Sequence, residues 1–197
     1  MRPPPPLLAL IAVVFLAGCP KQATTNTTST VAAGADPAGP SAVTTTQTNE
    51  GLVEVRVDLN RDGRHEITNY YRERSDAPRL LRRKETDLDL KGGPDVWTWY
   101  DDSGQREREE MDGDFDGRVD WKDYYVGGKR SMSEVDTDFN GTFDLKKYYE
   151  NGIVRRRERD SNADGRVDAW EYLDESGKVI KTGRDVDGDG TMDERDQ

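Results

Sequence analysis

Carboxylates recur in this chain in tight clusters that repel one another unless something positive sits among them. Asp112–Asp120 reads DGDFDGRVD, and five relatives share its plan: DLNRDGRHE (58–66), DLDLKGGPD (87–95), DTDFNGTFD (136–144), DSNADGRVD (160–168) and DVDGDGTMD (185–193). Side-chain oxygens stand at positions 1 and 3 and, in all but the phrase at 87–95, at 5, with glycine at 6 and an acid at 9. Glycine at 6 permits a sharp turn, so those oxygens, a carbonyl at 7 and the acid at 9 can close the shell of a hard cation. The candidate ligands are Asp58, Asn60, Asp62 and Glu66; Asp112, Asp114, Asp116 and Asp120; Asp136, Asp138, Asn140 and Asp144; Asp160, Asn162, Asp164 and Asp168; and Asp185, Asp187, Asp189 and Asp193. Ca2+ is expected over Mg2+, which demands stricter octahedral geometry and keeps its waters. In the second loop Lys91 takes position 5 beside Asp87, Asp89 and Asp95, and its ammonium is expected to keep that loop metal-free. The alternative is a set of polar Asp–Gly turns balanced by nearby arginines.

Such loops need elements to hold them. Their starts lie 29, 25, 24, 24 and 25 residues apart, which makes the chain a tandem repeat. Four loops lead into a short stretch ending in an aromatic pair, Tyr70-Tyr71, Trp99-Tyr100, Tyr124-Tyr125 and Tyr148-Tyr149, with Tyr172-Leu173 in the fifth unit. A glycine turn and a charged run follow, and Asn151-Gly152 is a favoured hairpin pair. Two strands and two turns fill 24 residues; helices do not, because the segments are short and rich in aromatic and β-branched residues. The predicted fold is all-β: antiparallel hairpin repeats in a meander or solenoid-like stack, linked by the calcium-type loops. Alternation sends Trp121 and Tyr125 to a moderately apolar face and Lys122 and Tyr124 to the other, with arginines of the return strands beside a tyrosine row.

The nine-residue form resembles the calcium loops of integrin-type (FG-GAP or VCBS) β-propellers and of thrombospondin type 3 repeats. It also resembles bacterial lipoproteins built from tandem D-x-[D/N]-x-[D/N]-G-x-x-D units followed by Trp/Tyr strands. The repeat is far shorter than a four-stranded propeller blade, and the chain lacks the cysteines of thrombospondin repeats. An EF-hand would need a bidentate acid at position 12, where the chain has Asn69, Thr98, Asp123, Lys147, Glu171 and Asp196. The resemblance is therefore EF-hand-like in the loop alone, and what it implies is calcium chemistry.

The N-terminus reads MRPPPPLLALIAVVFLAGC. Its apolar run is shorter than the roughly 20 residues a bilayer span needs and suits a signal peptide over residues 1–18. Leu16-Ala17-Gly18-Cys19 resembles a bacterial lipobox, which implies lipidation of Cys19 and a membrane partner through that anchor; an ordinary secretory signal is the alternative. Residues 19–50 read as a flexible Thr/Ala/Pro linker, able to reach about 30 Å as a coil, and 51–197 as the repeat domain. Pro20 and Lys21 stand where inner-membrane lipoproteins typically carry aspartate, so the outer membrane is expected.

A net charge of −11 argues against nucleic acid as a partner. One cysteine allows no intramolecular disulfide, and one histidine, His65, leaves little for a triad. No P-loop, GxSxG, HExxH or dinucleotide motif occurs, so the expectation is a non-enzyme with a structural or interaction role at the cell envelope. A glycan- or protein-binding module using Trp97, Trp99, Trp121 and Trp170 is the rival reading, and an envelope hydrolase using two acids the weaker one.

Overall fold

A computed structural model describes residues 42–196, with side chains through Asp193. The signal peptide, Cys19 and most of the expected linker lie outside the described residues. Thirteen strands follow one another: β1 (Val43–Gln47), β2 (Leu52–Val57), β3 (Ile67–Arg72), β4 (Leu80–Thr86), β5 (Val96–Tyr100), β6 (Arg106–Met111), β7 (Trp121–Val126), β8 (Lys129–Val135), β9 (Leu145–Glu150), β10 (Ile153–Arg159), β11 (Ala169–Leu173), β12 (Val179–Arg184) and β13 (Glu194–Asp196). They form one antiparallel sheet in sequence order, a meander, so the solenoid-like alternative is not what forms. Each acidic loop joins an even-numbered strand to the next odd-numbered one, so all six lie along one edge of the sheet; the middle four run from a charged return strand to an aromatic one. The glycine turns lie along the other.

The linker expected through Glu50 ends earlier, because Val43–Gln47 pairs with β2 from Val43↔Val57 to Gln47↔Val53. All five β1 residues are exposed. What recruits them is the open backbone edge of β2, which β-branched Val-Thr-Thr-Thr can extend without a buried side chain.

With one sheet, each face must be covered by its own side chains. On one face, directly opposed partners run Tyr70, Arg83, Trp99, Arg108, Tyr124, Met132, Tyr148, Arg156, Tyr172 and Lys181. The guanidinium carbon of Arg83 lies 4.0 Å from the Tyr70 ring centre, that of Arg108 3.8 Å from Trp99, and that of Arg156 4.0 Å from Tyr148. The phenols of Tyr70, Tyr124 and Tyr148 donate to Glu85, Glu134 and Glu158 at 3.1, 3.0 and 2.9 Å. Each stacked pair contributes about 0.5–1 kcal/mol, so the ladder substitutes in part for a second layer.

The opposite face is apolar beside the acidic loops, where Val57, Ile67, Val96, Met111, Trp121, Val135, Leu145 and Ala169 share a row with Thr86 and Arg159. One row further from the loops it turns polar, which the expected apolar face did not include. That row holds Asn69, Thr98, Asp123, Lys147 and Glu171, the very residues at position 12 of their loops; they sit in strands and cannot ligate as an EF-hand's would. The row is tolerated because its members find partners. Asp123, 4% exposed, receives Arg130 at 2.8 Å, the Trp121 indole N–H at 2.8 Å and the hydroxyl of fully buried Ser133. Burial works against the charge on Arg130, yet bonding to Tyr125 and Tyr149 and the charge of Asp123 hold its pKa above the ordinary value.

Replacing Asp123 with Ala leaves the Arg130 guanidinium without its carboxylate and the Trp121 indole N–H without its acceptor. A destabilisation of about 3 kcal/mol is expected by urea denaturation, against under about 1 kcal/mol for removing the exposed Asp102 carboxylate, which pairs with Arg72 and Arg82 at 2.7 and 2.6 Å.

Candidate metal centre

The nine-residue loops share one backbone path. Glycine at position 6 has φ between 87° and 102° in all six. Position 4 is left-handed too: Arg61, Leu90, Phe115, Phe139 and Ala163 have φ of 60–65°, and the sixth loop places Gly188 there at 78°. Side chains with a Cβ pay about 1–2 kcal/mol for that conformation. Nothing at position 4 in the first five phrases signals it; only Gly188 does.

Carboxylates hold this path by accepting inward N–H groups. In the third loop Asp112 accepts from Phe115 N at 2.7 Å and Gly117 N at 2.7 Å, while Asp120 accepts from Gly113 N at 2.6 Å. The same pattern holds at Asp58 with Glu66, Asp87 with Asp95 and Asp185 with Asp193. The loops are also joined in series. The N–H at position 1 donates to the position-9 carbonyl of the loop before, from Asp87 to Glu66 at 2.8 Å through to Asp185 to Asp168 at 3.0 Å.

Four loops bring three carboxylates together, each offering an oxygen within 4.8 Å of the others: Asp58, Asp62 and Glu66; Asp87, Asp89 and Asp95; Asp112, Asp114 and Asp120; and Asp185, Asp187 and Asp193. Among the described residues, the loops starting at Asp136 and Asp160 form no such trio. Position 2 separates the two groups. Thr137 donates its N–H to Asp144 at 2.8 Å and its hydroxyl at 2.5 Å; Ser161 does the same to Asp168 at 2.8 and 2.8 Å. The hydroxyl ties down one oxygen of the position-9 acid, whereas the loops that form trios carry Leu59, Leu88, Gly113 or Val186 at position 2, which have no side-chain donor. Asn140, Asn162 and Asp164 turn to backbone donors within their own loops, as does Asn60 in the first.

Position 5 divides as well. Asp62 joins its trio, but Asp116 is clamped by Arg118 at 2.6 and 2.9 Å, and Asp189 bonds the Thr191 hydroxyl at 2.5 Å. The Arg118 guanidinium holds Asp116 below the ordinary carboxylate range. Asp114 moves the other way: partial desolvation raises it, against a bond from Asp116 N–H, and the charges of Asp116, Asp120 and Asp112 raise it further. In the second loop the Lys91 ammonium lies 2.7 Å from Asp89, the counter-charge its position implied. Across the six loops, twenty acids face five basic residues, while the rest of the chain holds twenty acids and twenty-four bases.

Arginine at position 7 occurs in alternate loops and leans over the next one. Arg64 donates to the Lys91 carbonyl at 3.4 Å and Arg166 to the Gly188 carbonyl at 2.5 Å; Arg118 Nη1 lies 2.9 Å from where a Cβ on Gly141 would sit.

The oxygen-only donor set and the converging trios fit a hard divalent cation. A cation there would be held by three carboxylates per loop in the loops starting at Asp58, Asp112 and Asp185. The tryptophans are less free to bind: Trp99 lies under Arg108, the Lys147 ammonium is 4.7 Å from Trp121, and Trp170 is 9% exposed.

No protein-family model matches the chain, and no curated protein does. Among solved structures, it is similar over 60% of its length to a chain from the structure of accessory secretory protein 1, 2 and 3 in Streptococcus pneumoniae, at 11% identity and a TM-score of 0.34. It is similar over 70% to S. aureus TarM, in a complex with Fondaparinux, alpha-GlcNAc-glycerol and UDP, at 12% identity and a TM-score of 0.29. The chain spans 19% and 21% of those two chains, and likenesses this weak carry no argument.

The shared path predicts opposite effects at two neighbouring positions. Ala163→Gly relieves a left-handed residue and raises stability by about 0.5–1 kcal/mol, whereas Gly165→Ala imposes one and lowers it by about 1–2 kcal/mol. Paired urea denaturation curves read both.

Proposed function

We propose that this is a lipid-anchored cell-envelope protein whose Asp-rich loops bind calcium and stiffen an extended β-sheet. The reading is non-catalytic. The observation that carries the calcium part is the convergence of three carboxylate oxygens within 4.8 Å in separate loops of one sheet edge. Left without a cation, those charges repel; a bound ion turns the repulsion into stabilisation, so binding is coupled to folding. The loops starting at Asp58, Asp112 and Asp185 are the first to fill, the Lys91 loop stays metal-free, and the Thr137 and Ser161 loops bind less tightly. Affinities in the range of about 10⁻⁴ to 10⁻³ M suit an extracellular module. The anchor part rests on Leu16-Ala17-Gly18-Cys19, with the outer membrane as the site and an envelope protein or glycan as the partner of the exposed sheet.

At tenfold excess over Kd, each filled loop contributes about 1.4 kcal/mol, or about 3 °C in Tm. Calorimetry with calcium and with magnesium is expected to show saturable heats for calcium alone; flat calcium titrations at millimolar concentrations would overturn the reading. Asp114→Asn gives a sharper test. It keeps the acceptor for Asp116 N–H while removing a crowded charge, so it raises Tm in EDTA and shrinks the rise that calcium causes.

Acid acts in the same sense. Because Asp114 titrates above its unfolded value, the metal-free folded state gains stability from it as pH falls through its pKa, while protons displace calcium. The calcium-induced rise in Tm should therefore shrink between pH 7 and pH 4. For the anchor, Cys19→Ala is expected to abolish incorporation of labelled palmitate and release the protein from the membrane fraction.

A further inference from the structure

In the polar row of the mixed face, directly opposed acids are each balanced and directly opposed cations are not. Glu109 and Asp123 face each other, and each has its own arginine: Arg106 at 3.5 Å and Arg130 at 2.8 Å. Lys147 and Arg157 also face each other, yet among the described residues Arg157 alone of the two pairs with a carboxylate, Glu171 at 3.1 Å. Lys147 rests on the Trp121 ring. Among the described residues, Arg159, two residues along the same face, reaches Asp144 alone, at 4.0 Å, and both oxygens of Asp144 already accept bonds from Thr137. Like charges opposed across a strand pair destabilise a sheet unless an anion sits between them.

These three cations open onto one concavity of about 460 Å³ over β9, β10 and β11. Its apolar surface comes from Leu145, Val154, Ala169 and the Tyr149 ring. That volume lies within the usual range for small-molecule sites, about 300–1,000 Å³. The lining carries three positive groups against one negative, a net excess of two in a protein whose net charge is −11. The geometry points to a binding site for a small organic anion, with a carboxylate held between Arg157, Arg159 and Lys147 and an apolar body seated on Leu145, Val154 and Ala169. Guanidinium forks match a carboxylate through two parallel N–H bonds, and an ammonium beside them adds a point charge. An inorganic anion would satisfy the cations but leave the apolar floor in water, so the floor selects the organic ligand. The site is on the sheet face next to the loops starting at Asp136 and Asp160, where Leu145 and Ala169 directly follow Asp144 and Asp168, so it is tested with those loops held metal-free.

The test is isothermal titration of the full chain in EDTA at low salt with three probes: cyclohexanecarboxylate, its neutral carboxamide, and inorganic phosphate. The carboxylate is expected to saturate at one per chain, with the carboxamide and phosphate each at least tenfold weaker and the carboxylate affinity falling as salt is raised. Combining Arg157→Gln with Arg159→Gln should weaken the carboxylate at least tenfold; Arg159→Lys, which keeps the charge and loses the fork, should fall between. Circular dichroism checks that each variant keeps its sheet, and Arg159→Lys alone decides the matter should the double variant not fold. No saturation by about 10 mM carboxylate, carboxamide or phosphate binding as tightly as the carboxylate, or binding unchanged in Arg159→Lys would overturn the assignment.

Discussion

A nine-residue loop that reverses a strand must find acceptors for its inward backbone N–H groups, and here carboxylates supply them. The acids at positions 1 and 9 bind donors from positions 2, 3, 4 and 6, and this pins two left-handed residues in one short loop. Everything along that edge follows from it. The carboxylates are buried because the donors draw them inward: Asp58, Asp112 and Asp136 are 2–3% exposed. They are crowded because several donors converge, and crowded negative charge calls for a cation or a basic side chain beside it. Lys91 answers it in the second loop, and Arg118 answers part of it in the third.

The sheet meets a second constraint, because among the described residues no other layer covers it. A broad apolar face would be exposed, so the chain alternates rings with guanidinium groups instead. Arginine lays its apolar stem and flat head over tyrosine or tryptophan while keeping its charge near water or glutamate. The buried apolar set is correspondingly small: Val53, Val135, Leu145, Trp170 and Leu173. Stability in such a sheet is spread along neighbouring strands and is not concentrated in one centre.

Most of this architecture is legible in the sequence, because the repeat places every aromatic pair and every position-6 glycine at a fixed distance from an acid. The meander, the loops on one edge and the arginines beside tyrosines all follow from that period and from strand alternation. Three features are not legible. Strand β1 is recruited by the open backbone edge of β2, and Val43–Gln47 bears no burial pattern that would reveal it. The polar row containing Asp123 and Lys147 depends on the sheet having a single layer, which the local pattern does not encode. The split between loops depends on Thr137 and Ser161, whose hydroxyls look like ordinary turn residues until their bonds to Asp144 and Asp168 are seen.

The alternation of Arg64, Arg118 and Arg166 has a consequence for how such a chain can change its length. Each arginine leans from an odd-numbered loop over the even-numbered loop that follows, so the chain's natural quantum is four strands and two loops, close to fifty residues. Gain or loss of that quantum leaves every guanidinium above a neighbour. Gain or loss of half of it would set an arginine over the wrong loop, or over none, at an edge already crowded with negative charge.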